Sequence, residues 1–207
     1  MRHIARVTSK TTDMTMNTAI NALNSAQREQ ALLTLIPLVE RSPWVAEVAV
    51  DQRPFASDGA VAEALVEVIL SAPPERRLAL FNVHPELAGP EVREGYITAE
   101  SASEQGRLGL TDLPESEARR LRELNASYRA RFGHPFIIAL HRVPDRNVLF
   151  EIFEKRLKAT RLEEHTTTLA EIASVIQSRC DSAFGSPPSN IPNRSSSSPS
   201  QKQETTK

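Results

Sequence analysis

His84 is followed at once by a proline, and a little further on the chain reads Ser101-Ala102-Ser103-Glu104-Gln105. An imidazole gains and loses protons near neutral pH, so a histidine held in place by its neighbours is a candidate general acid or base. A carboxylate such as Glu104 accepts hydrogen bonds from N–H groups. Local roles account for both stretches as well. His84-Pro85 reads as a turn in which the proline ends the preceding helix, and Ser101-x-x-Glu104 reads as a capping box. The two kinds of role are compatible. A helix N-terminus offers free amides to a carboxylate-bearing ligand, and a histidine fixed by a proline is a positioned proton-transfer group.

Other chemistries find less support. The five histidines are His3, His84, His134, His141 and His165. They include no i, i+4 pair and no HExxH, so no metal site is expected. His134 and His141 are separated by Pro135, which argues against a shared regular helix face. Cys180 is the only cysteine, which excludes an intramolecular disulfide and a cysteine-rich zinc site. It is available in principle as a nucleophile but has no activating local signature. There is no GxGxxG and no P-loop; Gly106-Arg107-Leu108-Gly109-Leu110 reads as a helix end followed by a turn. With 25 Lys plus Arg against 26 Asp plus Glu, the net charge of -1 leaves no footprint for nucleic acid. No apolar run approaches the ~20 residues of a membrane span. The N-terminal stretch lacks the apolar core of a secretory signal, and a cytoplasmic protein is expected.

The elements that must position these residues are helical nearly throughout the chain. Ala31, Leu32, Leu35, Ile36 and Val39 share one face, with Asn24 or Ser25 as cap and Pro37 as a kink or end. Val61, Leu65, Val68 and Ile69 form a second stripe, capped by Ser57 or Asp58 and ended by Pro73-Pro74. Ala118, Leu121, Leu124, Tyr128 and Phe132 form a third, stopped by Gly133. Val148, Leu149, Ile152, Phe153 and Leu157 repeat the pattern, as do Leu169, Ile172, Ala173 and Ile176. One segment breaks the period: Pro135 to Leu140 is continuously apolar. It reads either as the buried start of a helix or as an extended loop leading into one. The fold class is all-α, a compact bundle of about eight short helices in one domain. Residues 15–182 form that domain, after a flexible stretch over 1–14. The Ser/Pro-rich residues 183–207 have little to bury and are expected to be disordered.

Three blocks together resemble the 2-oxo-4-hydroxy-4-carboxy-5-ureidoimidazoline (OHCU) decarboxylase family. His84-Pro85-Glu86-Leu87-Ala88-Gly89 is similar to the family's H-P-D/E-L-A-G. Ser101 to Gln105, followed by Gly109-Leu110, is similar to S-x-x-E-Q-x-x-x-G-L. Asn125 through Tyr128 and Phe132 to Ile137 is similar to N-x-x-Y-x-x-x-F-G-x-P-F-I. Ser42-Pro43-Trp44 and Arg53-Pro54-Phe55 add to the resemblance, which spans about residues 16 to 180.

The resemblance implies an all-helical, homodimeric enzyme that ends the conversion of urate to (S)-allantoin by releasing CO2 from a small ureidoimidazoline. It implies His84 and Glu104 as the catalytic residues, His84 as the acid/base and Glu104 binding ring or ureido N–H groups to orient the reacting edge. Pro85, Ser101, Ala102, Ser103, Glu104, Gln105, Phe136, Ile137, Ile138, Ala139 and Leu140 would line the substrate pocket. Arg156 sits where the family has R-L-x-N, but Ala159 replaces the asparagine; a substrate-binding and an exposed structural role both stay open for it. No cofactor is implied, because the substrate carries its own imine as electron sink. The alternatives are a related cofactor-free lyase or isomerase on another ureido or imidazoline acid, and a non-catalytic helical module with no pocket at His84.

Overall fold

The structure is a computed structural model that describes residues 18–93 and 99–185. The expectations for residues 1–14 and for most of the 183–207 tail lie outside the described residues. The helices are α1 (Thr18–Ser25), α2 (Arg28–Leu35), α3 (Pro43–Ala49), α4 (Asp58–Leu70) and α5 (Pro74–Asn82). They continue with α6 (Pro90–Arg93), α7 (Ala99–Arg107), α8 (Glu115–Phe132), α9 (Arg146–Arg156) and α10 (Arg161–Phe184). No strand occurs among the described residues. The all-α class holds, with more helices than expected and two long ones, α8 of 18 residues and α10 of 24.

Most of the punctuation is local chemistry. Pro37 turns the end of α2 into a single 3-10 turn, Ile36–Leu38, because it lacks the amide that an α-helix would need. Pro43 and Pro74 open α3 and α5 at the first helical turn. Ser57 caps α4 by accepting from the Ala60 amide. Thr160 and Glu163 form a reciprocal capping box at the start of α10. Gly133 ends α8 at φ 81, a left-handed conformation that glycine adopts without a Cβ penalty. The Asn24 cap is not found. Its side chain instead clamps Phe55, donating to the carbonyl and accepting from the amide, each at 2.8 Å. Ser25 is the last residue of α1, and Gln27 precedes α2 without a side-chain cap.

The core has two parts. One gathers α1 to α5 around α10, with Leu35, Val45, Leu65, Phe81 and Ile176 among its buried members. The other gathers α8 and α9 with Leu87, Leu110, Tyr128, Phe136 and Phe153. Residues 135–139 run between them without helical structure and enter a 3-10 turn at Leu140–Arg142. The second reading of this segment, an extended loop, is therefore the one realised. Its composition follows from its place: Ile137 belongs to the first core, while Phe136, Ile138 and Leu140 belong to the second. An extended segment buried on both faces has no polar side to show.

Candidate active site

The two cores leave a cavity of about 710 Å³ of atom-free space, counting its mouth. His84 and Pro85 enter from the loop after α5, Ser101, Glu104 and Gln105 from α7, and Phe136, Ile137, Ile138 and Leu140 from the extended wall. Residues Glu40 and Ser42, from the turn before α3, and Arg179 from α10 add polar groups. Apolar side chains of α4, α5 and α10, such as Ile69, Leu80 and Ile172, close the rest.

His84 is half-buried, and its Nδ1 lies 2.8 Å from the Leu80 carbonyl oxygen. A carbonyl only accepts, so in the neutral ring Nδ1 carries the hydrogen and Nε2 keeps its lone pair. Burial pushes the imidazole below its ordinary value, against the Leu80 carbonyl and Glu40, which pull it up. At neutral pH His84 is thus a neutral base with a fixed tautomer. Burial pushes the Glu104 carboxyl above the usual carboxylate range, against Arg179, His141 and Arg107.

The loop that carries His84 is held from two sides. Gln105 is 2% exposed, and its Oε1 accepts from the Ala88 amide at 2.9 Å. Asn125 of α8 donates to the Leu87 carbonyl at 3.0 Å, and Arg129 pairs with Glu86 at 2.7 Å. Ala88 sits at φ 50, a left-handed conformation uncommon for a residue with a side chain. A Cβ on Gly89 would lie 3.1 Å from both the Cβ and the carbonyl oxygen of Glu86, so the loop closes most easily with glycine there.

The capping-box expectation for Ser101 and Glu104 does not hold. Helix α7 already begins at Ala99, so Ser101 lies inside it. Ser101, Glu104 and Gln105 fall at i, i+3 and i+4, one helix face, and all three reach the cavity. Ala102 and Ser103 fall on the other face and are exposed; neither lines the cavity.

The wall is braced from outside. The Ile137 carbonyl accepts from Arg156 Nη1 at 2.7 Å, and the Ala139 amide donates to Glu171 Oε2 at 2.8 Å. Arg107 donates to the Leu140 and Val143 carbonyls. Ala139 is fully buried and does not line the cavity.

Arg156 is neither exposed nor at the cavity. It is buried, pairs with the fully buried Glu164, reaches Thr168 and stacks 4.5 Å over the Phe136 ring. Tyr128 donates to the same carboxylate. Ala159, in place of the family's asparagine, is half-buried, and its carbonyl accepts from Arg131 at 2.9 Å.

Sequence reasoning missed Glu40, Ser42 and Arg179. Arg179 had a legible signal: it continues the buried α10 stripe of Ile172 and Ile176 at i+7 and i+3, where a charge is out of place. Cys180 beside it is fully buried, and its thiol is pushed up to about 12, so it is no nucleophile. Among the described residues no group of three or more His, Cys, Asp or Glu side chains could hold a metal ion. Among the described residues no helix is long and apolar enough to cross a membrane.

These features define a helical protein with a cavity that holds a histidine of fixed tautomer. The family model described as "OHCU decarboxylase" matches residues 24–181, and the chain belongs to that family. The 2-oxo-4-hydroxy-4-carboxy-5-ureidoimidazoline decarboxylase of Xenopus laevis is 34% identical over 163 residues, 78% of this chain and 93% of the relative. The protein of that name from Halalkalicoccus jeotgali is 32% identical over 155 residues, 74% and 84% of the two chains. Among solved structures, an (S)-allantoin synthase superposes with a TM-score of 0.64 at 21% identity, over 80% of this chain and 54% of that one. At that identity the superposition speaks for the fold. The cavity and the family match weigh against a non-catalytic module.

Proposed function

We propose that this carboxy-lyase acts in urate degradation, releasing CO2 from 2-oxo-4-hydroxy-4-carboxy-5-ureidoimidazoline to give (S)-allantoin, with His84 as proton carrier. The observation that carries the reading is the tautomer of His84, which leaves Nε2 unprotonated on a residue that lines the same cavity as Glu104 and Arg179.

The chemistry is balanced by the substrate itself. The bond from the ring carbon to the carboxylate breaks, and its electron pair forms a double bond to the ureido-bearing carbon. The former imine pair moves onto the ring nitrogen, which takes a proton from solvent. His84 Nε2 removes the hydroxyl proton, the enol becomes a carbonyl, and the imidazolium returns that proton to one face of the ureido-bearing carbon. Positioned acid/base catalysis of this kind is worth ~10²–10⁴-fold.

The other cavity residues bind and orient. Glu104 accepts from ring or ureido N–H groups, and Arg179 receives the carboxylate. Ser101 and the Gln105 amide nitrogen bind remaining polar atoms, and Pro85 holds the loop. In extended backbone, alternate residues turn their N–H and C=O to opposite edges. The outward bonds of Ile137 and Ala139 leave Ile138 to offer both its groups to the ligand. The enzyme works as a homodimer in the cytoplasm. The family resemblance supports the dimer, which light scattering tests, and a lone buried thiol suits a reducing compartment.

The deciding experiment generates the unstable ureidoimidazoline in situ from urate and follows optical rotation. The purified chain is expected to speed formation of a single allantoin enantiomer. Racemic allantoin at the spontaneous rate overturns the proposal.

A further inference from the structure

Glu40 is 6% exposed, sits on the turn after Ile36–Leu38, and lines the cavity. Its Oε2 accepts from Arg179 Nη2 at 2.8 Å and from Ser101 Oγ at 3.4 Å. Arg179 Nη1 also lies 3.5 Å from the carbonyl of Pro37, in the 3-10 segment just before that turn. One carboxylate therefore gathers α10, α7 and this turn on a single wall of the cavity. An arginine side chain has many rotamers, and holding it in one costs conformational entropy. Here the ordering is done before any ligand arrives.

The chemistry asks for more than order. The substrate's carboxylate departs as neutral CO2, so its charge leaves the arginine as the bond breaks. A cation that held it at full strength would stabilise the bound substrate more than the transition state and slow the reaction. A guanidinium already paired with a buried carboxylate directs its hydrogen bonds with less net charge.

Building on the decarboxylase reading, we propose that Glu40 is a positioning residue. Through its buried ion pair it fixes the Arg179 guanidinium and tempers its hold on the departing carboxylate. Glu40 acts through Arg179 and touches no reacting atom.

The test is a double-mutant cycle on turnover, using Glu40→Gln, Arg179→Met and the pair combined. Glu40→Gln is expected to lower kcat about 10- to 100-fold, the scale of a misplaced binding group, while KM stays level or falls. In the Arg179→Met background the same change is expected to cost less than about 2-fold, because contacting residues that act as one unit are not additive. A loss of equal factor in both backgrounds overturns the proposal. So does a Glu40→Gln enzyme with unchanged kcat, or one whose KM rises in step with the fall in kcat. Should Glu40→Gln fail to fold, Glu40→Asp keeps the charge and retracts it by one methylene. Lowered kcat at an unchanged melting temperature supports the proposal, and wild-type kcat overturns it. An inactive wild-type chain defeats the decarboxylase reading itself; an active wild type with additive losses defeats only this inference.

Discussion

At the scale of single residues, the site turns on which ring nitrogen of His84 holds the hydrogen. Leu80 decides it through a carbonyl one helical turn back, at 2.8 Å. His84→Asn keeps a group able to reach Leu80 but removes the titrating nitrogen. Turnover is expected to fall by ~10²–10⁴-fold with the melting temperature within a few degrees of wild type; a steady-state assay on fresh substrate checks this. The pH profile carries a sign. Burial holds His84 below its ordinary value, so the base form persists into acid. The acid limb of kcat/KM is expected below pH 6.5, read from initial rates in buffers of constant ionic strength. A limb above that pH contradicts a depressed imidazole.

At the scale of elements, the 135–139 segment shows how a wall without regular structure is kept in place. Arg156 and Glu171 take the outward backbone groups of Ile137 and Ala139, and Arg107 takes the Leu140 and Val143 carbonyls at the turn that follows. Arg107→Ala removes the brace at Leu140 and Val143 while leaving every cavity-lining side chain intact. KM is expected to rise several-fold with a smaller change in kcat, and protection of the segment's amides against hydrogen exchange is expected to drop. Part of this was legible beforehand. The continuous apolar run announces burial on both sides, but such a run does not by itself separate a buried helix start from an extended loop. What settled the matter was the presence of two cores, one for each face. Helix α7 is the opposite case. Helical spacing already separates Ser101, Glu104 and Gln105 from Ala102 and Ser103, once the helix is known to begin before Ser101.

At the scale of the whole molecule, a buried charged network ties α8, α9 and α10 together. Glu164 is fully buried and takes hydrogen bonds from Tyr128, Arg156 and Thr168. Glu164→Gln leaves Arg156 buried without its counter-charge, a loss of about 3–5 kcal/mol. That is a large share of a typical domain's 5–15 kcal/mol, and denaturant unfolding at neutral pH measures it. Acid acts on the same fold by another route. Burial holds His84, His134 and His165 below their ordinary value, so each binds its proton more readily unfolded than folded. Their contribution is complete above about pH 6.5 and is lost as pH falls through the lower folded values. Melting temperatures are expected to decline from pH 7 toward pH 5, and a His134→Gln variant to decline less steeply.

By itself the sequence determined what depends on near neighbours: the helices through their apolar spacing, their ends through Pro37, Ser57 and Gly133, and the family through three short blocks that include His84 and Glu104. Tertiary structure alone decided what depends on residues far apart in the chain. It brought Glu40 to Arg179, turned Arg156 inward to Glu164 and away from the cavity, and set the extended wall between two cores. The reason is physical: spacing along a helix says which residues share a face, but only packing says what that face meets.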